Sequence, residues 1–591
     1  MILQIIMTEI SRHLITTPDE RTWKFDQPVI FLGEWCQLYN RRHIWEKMDF
    51  VTVEPYGFDP IQRGIDEKMC RNTENELISI LSSILNNIHG VSHSQRYWRI
   101  LCGHWLRGYV DLIFNRYTTL QLSMEEYNIS STGYFEDKNF SLATPDTRSF
   151  YLSCDGDVWN SILYSKILMF CDSESIDKSP IEINGLGCVT KPISQKRTFN
   201  QHVNKYIKQT IYSFLRIFSK ESNAIIINTY LPYFDELKLK FMFKQVPAIY
   251  DYPSLCYSEP DLILRKNLSS ALLADDNKGY SSCVKKLIFD LMPTCFLEDY
   301  QMMSKTVDEL KWPKRPKFIF TSNSYFLDEV FKFMTAQQVE SGTPYYVGQH
   351  GLFGIYNYNY PTVEMLTCDK YLRWGSETSI PQEVPAFTLT EANKNIVQDK
   401  DGGLLFIQGD QGHRIEMWDN THDYILSMNN NYLFYNGLDK KIAKSTFIRL
   451  HTARFQFRQY ESERWFDVDK NINITDDSHS YDHLLARNRI VVFSYHSSGF
   501  FENLSQNIPS LLLIGDTSFI RDEVLPDYKP LIENGIVHLS SGSAAETINS
   551  VWDDIDTWWM SFEVQNARKL FCEKYARQSI NPIAELVEIL K

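Results

Sequence analysis

Short β-branched or aromatic runs, each ending in a polar turn, alternate with apolar residues at three- and four-residue spacing over most of this chain. The runs Ala224–Ile227, Lys317–Phe320, Tyr345–Val347 and Tyr371–Trp374 read as strands, as do Leu404–Ile407, Thr446–Leu450, Ile490–Phe493 and Leu511–Ile514. Between and after them, Leu237–Val246, Val284–Met292, Asp328–Glu340, Asp423–Leu438, Phe500–Gln506 and Val564–Tyr575 read as helices. Such an order predicts parallel sheets with helices on their faces, an α/β class. Upstream stands one more strand, Pro28–Leu32. A long helical pattern follows from Thr73 to about Asn128, with Thr73 and Glu76 spaced as a capping box. Residues 130–210 read as irregular, with helical pieces near Trp159–Cys171 and Phe199–Phe218. Pro381 and Pro385 mark 376–402 as a linker between two α/β halves. The division expected is 1–375, with helical insertions, then 403–560, then a terminal helix in 561–591 crossing back to the first half.

Strand ends are where an open α/β sheet binds ligands, so the polar turns there are the candidate chemistry. After Ile490–Phe493 comes Ser497-Ser498-Gly499 at the start of a helix. Its free N–H groups and serine hydroxyls suit a phosphate, and Glu502 one turn later suits a ribose diol. A plain helix cap explains the same serines. After Tyr345–Val347 comes Gly348-Gln349-His350-Gly351, in which Gln349 and His350 lie between glycines and His350 can act as acid or base. Glu364 lies on the next helix. Glu34 follows the strand Pro28–Leu32, and His451 and Gln408 follow two strands of the second half, Gln408 opening the polar turn that runs to Arg414. Arg96 and Arg99 are candidate anion ligands, although paired arginines at a helix end also meet solvent or local carboxylates.

Composition narrows the classes. With 591 residues the chain is too long for one core. A net charge of −14 argues against a dedicated nucleic-acid binder. Eleven cysteines without metal-ligand spacing fit reduced thiols, with Cys36, Cys102, Cys171 and Cys188 read as small core residues. No run approaches the ~20 apolar residues of a membrane span and no leader is evident, so a cytoplasmic protein is expected.

Several blocks together resemble a known family: FLGEWC (31–36), HGVSHSQRYWRIL (89–101), GQHGLFG (348–354) with Glu364 and YLRWG (371–375), SYHSSGFFENLSQNIPS (494–510) and GIVHLSSGSAAETINSVWDDIDTWW (535–559). They look like the transferase family of bacterial O-antigen and surface-carbohydrate loci, first defined in spirochaetes, and the resemblance covers almost the whole chain. His451 followed by Ser497-Ser498-Gly499-Phe500-Phe501-Glu502 is also similar to the pattern of GT-B glycosyltransferases that use CMP-activated ulosonic acids such as Kdo or sialic acid. In two departures, His451 is followed by Thr452 rather than proline, and one extra residue precedes Glu502. The same helix resembles that of CDP-glycerol glycerophosphotransferases.

The resemblance implies a GT-B-like architecture, two Rossmann-like domains facing across a cleft, and a nucleotide-sugar donor. The donor residues implied are His451, Ser497, Ser498, Gly499, Glu502 and Gln408. His350, Glu34 and Glu364 are the catalytic candidates, with Gln349, Arg96 and Arg99 on the acceptor side. A glycan or lipid-linked glycan acceptor, no required metal or cofactor, no nucleic acid and peripheral contact with the inner membrane complete the expectation. Polyol-phosphate transfer from a CDP donor, a nucleotide-sugar epimerase or hydrolase, and a non-catalytic assembly scaffold stay open beside it.

Overall fold

The fold was analysed in a computed structural model that describes residues 10–136, 141–171, 175–182, 220–246, 250, 252–253, 255–272, 279–352, 354–392, 396–409, 417–451, 458–475 and 478–591. The expected helix Phe199–Phe218, the turn residues Asp410–Arg414, Thr452 and Cys188 lie outside these.

Three parallel sheets organise the chain. The first holds β1 (Arg12–Ile15), β2 (Val29–Phe31), β3 (Phe50–Thr52), β4 (Ile129–Phe135) and β5 (Asp177–Ile181), in the order β3-β2-β1-β4-β5. The second holds β6 (Ile225–Ile226), β7 (Ile319–Thr321), β8 (Tyr345–Gly348), β9 (Lys370–Arg373) and β10 (Glu383–Pro385), laid side by side in chain order. The third holds β11 (Gly403–Ile407), β12 (Thr446–Arg449), β13 (Asn473–Ile474), β14 (Asn488–Phe493), β15 (Ser510–Leu513) and β16 (Val537–His538). Its order β13-β12-β11-β14-β15-β16 reverses between β11 and β14, the doubly wound pattern. Strands such as β8, β11 and β15 are buried at every residue because helices cover both faces.

Residues 1–375 therefore carry two sheets where one was expected, and β10 lies inside the presumed linker, paired to β9. Of the first sheet only β2 was read from the sequence, as Pro28–Leu32; β4 was missed because small and polar residues fill it, ISSTGYF. In β4, Thr132 donates its hydroxyl to the Leu14 carbonyl and Ser131 pairs with the His13 ring, so buried polar side chains are satisfied across the sheet.

Two long helices cross from β3 to β4: α1 (Pro60–His89) and α2 (Gln95–Glu126). Asp59 caps α1 ahead of Pro60, and Gly90 ends it in the left-handed region at φ 65°. Thr73 is thus interior, its hydroxyl returning to the Met69 carbonyl, and it caps nothing. Helix α2 is buried for most of its length and shares one core with both the first and second sheets. It packs on α3 (Thr147–Ser153), α4 (Glu329–Glu340) and α5 (Val363–Thr367).

The second and third sheets form a GT-B-like pair, with the loops at their carboxyl ends opposed. The loop after β8 meets the loops after β14 and β15: Tyr356 bridges to Ile520, Asn357 N–H donates to the Phe519 carbonyl, and the Tyr356 and His496 rings lie 5.3 Å apart. On the third sheet stand α6 (Asn420–Gly437) and α7 (Ser498–Ser505). Helices α8 (Phe562–Tyr575) and α9 (Pro582–Leu590) end the chain. Leu586, Val587 and Leu590 of α9 enter the core of the second sheet, and Lys370 donates to the Ile589 carbonyl. No helix among the described residues is long and apolar enough to cross a membrane.

Gly375 is where the end of β9 meets the end of α8. A Cβ there would stand 2.1 Å from the Lys574 carbonyl oxygen, backbone that cannot step aside. Gly375→Ala should lower stability by about 1–3 kcal/mol, read as an earlier urea midpoint.

Candidate functional site

The loops after β6, β7 and β8 form one polar wall. The Asn323 amide donates to the Tyr230 hydroxyl at 2.6 Å, and the His350 ring lies parallel to Tyr230 with centroids 4.9 Å apart. Burial lowers the His350 pKa below its ordinary value, which keeps the imidazole neutral near pH 7. Gln349 does a different job. Its carbonyl oxygen accepts the Trp374 backbone N–H, its amide donates to the Gly351 carbonyl, and it holds the loop to the end of β9.

Behind His350 lies a cavity of about 210 Å³ between α2 and the second sheet, lined by His104, Arg107 and Asp111 on one side and by Tyr325, Tyr358 and Glu364 on the other. Glu364 sits in the first turn of α5, 2% exposed, with its carboxylate 3.7 Å from His104 Nε2. Burial raises the Glu364 pKa and pushes His104 well below its ordinary value, with Lys332 and Arg107 adding to the second effect. An acid whose pKa is raised and a base whose pKa is lowered thus share the cavity.

A charged scaffold fixes this wall from below. Buried Glu74 of α1 accepts Arg107 through both carboxylate oxygens (2.9 and 3.2 Å) and Arg71 at 2.8 Å, with Arg99 at 3.6 Å. Arg71 also reaches Asp111, which accepts the Tyr358 hydroxyl. Arg107 donates to the Pro361 carbonyl, and Glu67 accepts the Asn359 N–H. Residues 358–361, the cavity's rim, thus hang from α1 and α2. Arg99 belongs to this scaffold, held by Asn75 and Glu74. Arg96 donates to the Thr367 carbonyl and to Asp369. Neither arginine lines the cavity, because each is already committed to protein acceptors.

On the third sheet, Ser497 caps α7, its hydroxyl oxygen accepting the Gly499 N–H, and Ser498 opens the helix. Glu502 accepts the hydroxyl of Thr390, which follows β10, so a candidate residue of the third sheet is bonded to the chain that leaves the second. The Glu502 charge is a small influence beside burial on Tyr230, the residue on which His350 stacks. His451 is exposed just beyond β12. Gln408 turns into the core instead, where its carbonyl oxygen accepts the Trp465 indole N–H.

Glu34 lies elsewhere, paired at 2.9 Å with His422 of α6, outside the cavity that holds His350 and Glu364. Beside it Asp419 is buried as the cap of α6. The residues missed from sequence are His104, Arg107 and Asp111. Their spacing of three and four on an otherwise apolar helix face was the available signal.

Two carboxyl groups here make stability depend on pH. Burial raises Glu67 from 4.5 to about 7, and burial together with the Glu34 charge raises Asp419 from 3.8 to about 7. A raised carboxyl favours the fold below its unfolded value, and that contribution is lost as pH rises through about 7. The melting temperature should therefore fall between about pH 5 and pH 8, and Glu67→Gln and Asp419→Asn should each flatten that fall.

Comparison with curated proteins found no match. Among solved structures, the chain is similar to a UDP-GlcNAc 2-epimerase from Neisseria meningitidis bound to UDP-GlcNAc (12% identity, TM-score 0.31, 75% of this chain and 98% of that one). It is also similar to MurG of Acinetobacter baumannii (11%, 0.28, 50% and 77%) and to the wall teichoic acid polymerase TagF (8%, 0.31, 66% and 95%). At these scores the likenesses carry no weight for the chemistry. The sequence itself is more informative: the model of the LIC12162 family transferases matches residues 12–590, and the chain belongs to that family.

Proposed function

We propose that this transferase moves a sugar from a nucleotide-activated donor onto a glycan or lipid-linked glycan acceptor of a surface polysaccharide or O-antigen. The donor it would use is a CMP-linked ulosonic acid, Kdo or a nonulosonate. One observation carries the reading. Neutral His350 stands at the carboxyl edge of the second sheet, stacked on Tyr230, and Glu502 of the opposing sheet is bonded to Thr390 just beyond the same sheet.

In this reading the acceptor hydroxyl gives its proton to His350 as its oxygen bonds to the anomeric carbon. The bond from that carbon to the phosphate oxygen breaks, and CMP leaves. The N–H groups at Ser498 and Gly499 and the hydroxyls of Ser497 and Ser498 take the phosphate charge, with His451 beside them. Glu502 would exchange its Thr390 partner for a ribose hydroxyl. Glu364, its pKa raised by burial, supports the acceptor side rather than the leaving group. The reaction would run at the cytoplasmic face of the inner membrane, where such acceptors are exposed.

Thermal unfolding with CMP, CDP, UDP or GDP tests the donor. A nucleotide at ~100 times its dissociation constant stabilises the fold by about 2.7 kcal/mol. CMP should do so, and Ser497→Ala with Ser498→Ala should remove the effect. A stronger response to CDP would replace the reading with polyol-phosphate transfer.

The base makes a separate prediction. His350→Ala should lower kcat about 10²–10⁴-fold while CMP binding persists. Because its pKa is lowered, the acid limb of the rate profile should fall below pH 6.5. A limb at or above that value would exclude His350.

A further inference from the structure

We propose that the cavity between α2 and the second sheet receives the acceptor as an uncharged, polyhydroxylated ring, with Tyr325, Asn359 and Glu364 as its specificity residues. The inference rests on the sugar-transfer reading and adds which acceptor that reaction takes.

Unused hydrogen-bonding capacity is the first observation. Tyr325 Oη, Asn359 Oδ1 and Glu364 Oε1 belong to residues that line the cavity, are buried, and make no hydrogen bond of good geometry within the protein. Tyr325 and Glu364 interact only loosely with each other, a pairing that favours the Glu364 anion and that a ligand hydroxyl can take over. Buried polar atoms are almost always satisfied, so three gathered around one cavity mark a place kept for ligand groups. Two of the three are acceptors and one is a hydroxyl, a set that hydroxyl groups satisfy in either direction.

Charge decides between ligand classes. The cavity's cation among the described residues, Arg107, spends its guanidinium on Glu74 and the Pro361 carbonyl. Asp111 is answered by Arg71. Burial leaves His104 and His350 uncharged near neutrality and disfavours the Glu364 anion. An anionic ring would find no uncommitted positive partner and would approach Asp111 and Glu364. An uncharged ring meets no such opposition.

Size and walls agree. About 210 Å³ is less than the ~300–1,000 Å³ of sites for drug-sized ligands, so a single small ring fits. Tyr151, Phe326 and Tyr358 supply aromatic surface for its apolar face. His104 and Arg107 come from α2 and Tyr151 from α3, helices that connect strands of the first sheet, which gives that sheet's part of the chain a role in choosing the acceptor.

The test is saturation-transfer NMR on the full chain with methyl glycosides of glucose, galactose, rhamnose and N-acetylglucosamine, set against glucuronate and glucose 1-phosphate. At least one methyl glycoside should bind, and more tightly than either anion. Tyr325→Phe removes a loosely partnered hydroxyl, so its melting temperature should hold or rise while glycoside affinity falls about tenfold. Glu364→Gln should keep binding, and Glu364→Ala should lose it. Tighter binding of either anion, or unchanged affinity in Tyr325→Phe, would overturn the proposal. If CMP stabilises the protein but no glycoside binds, the pocket assignment fails alone. Glycoside binding without any nucleotide effect supports the pocket and removes the donor reading.

Discussion

The carboxylate of Glu74 is the constraint on which the site depends. It is 2% exposed and gathers Arg71, Arg99 and Arg107 between two long helices. Buried ions are tolerated when every charge finds a partner at good geometry, and here the partners continue outward through Asp111 to the Tyr358 hydroxyl. Buried ion pairs are in general weak evidence of net stability. What this network fixes is position, because its outermost members hold the 358–361 rim of the cavity. A site on the second sheet is thus shaped by helices that belong to the first.

Parts of this were legible in the sequence. His350 stood out because glycines flank Gln349-His350 after an apolar strand, and Glu364 because a helix follows; the fold places both on one cavity. The alternating strands of the second and third sheets were readable because strands covered on both faces are apolar throughout. Of the first sheet, β2 was readable, while β1 and β4 were hidden by His13, Ser131 and Thr132, polar residues whose partners lie across strands far apart in sequence.

Arginines were misleading for a related reason. Arg96 and Arg99 look like anion ligands in a sequence, where their acceptors Asp369, Asn75 and Glu74 cannot be seen. The face of His104, Arg107 and Asp111 was readable in principle, since its spacing is helical. A charged face on a helix usually meets solvent, however, and only the packing of α2 between two sheets turns it inward.

The part of the chain that carries the first sheet also touches the third sheet's side of the molecule. Tyr39 and Arg42 bond Asp467, Asp157 takes Arg458 through two hydrogen bonds, and Arg63 lies over the Trp418 and Phe519 rings. The third sheet is therefore held by these contacts, by the loop after β8 through Tyr356 and Asn357, and by the crossing near Gly375. With three sets of contacts holding it, the third sheet can move away from the second only if at least one set lets go.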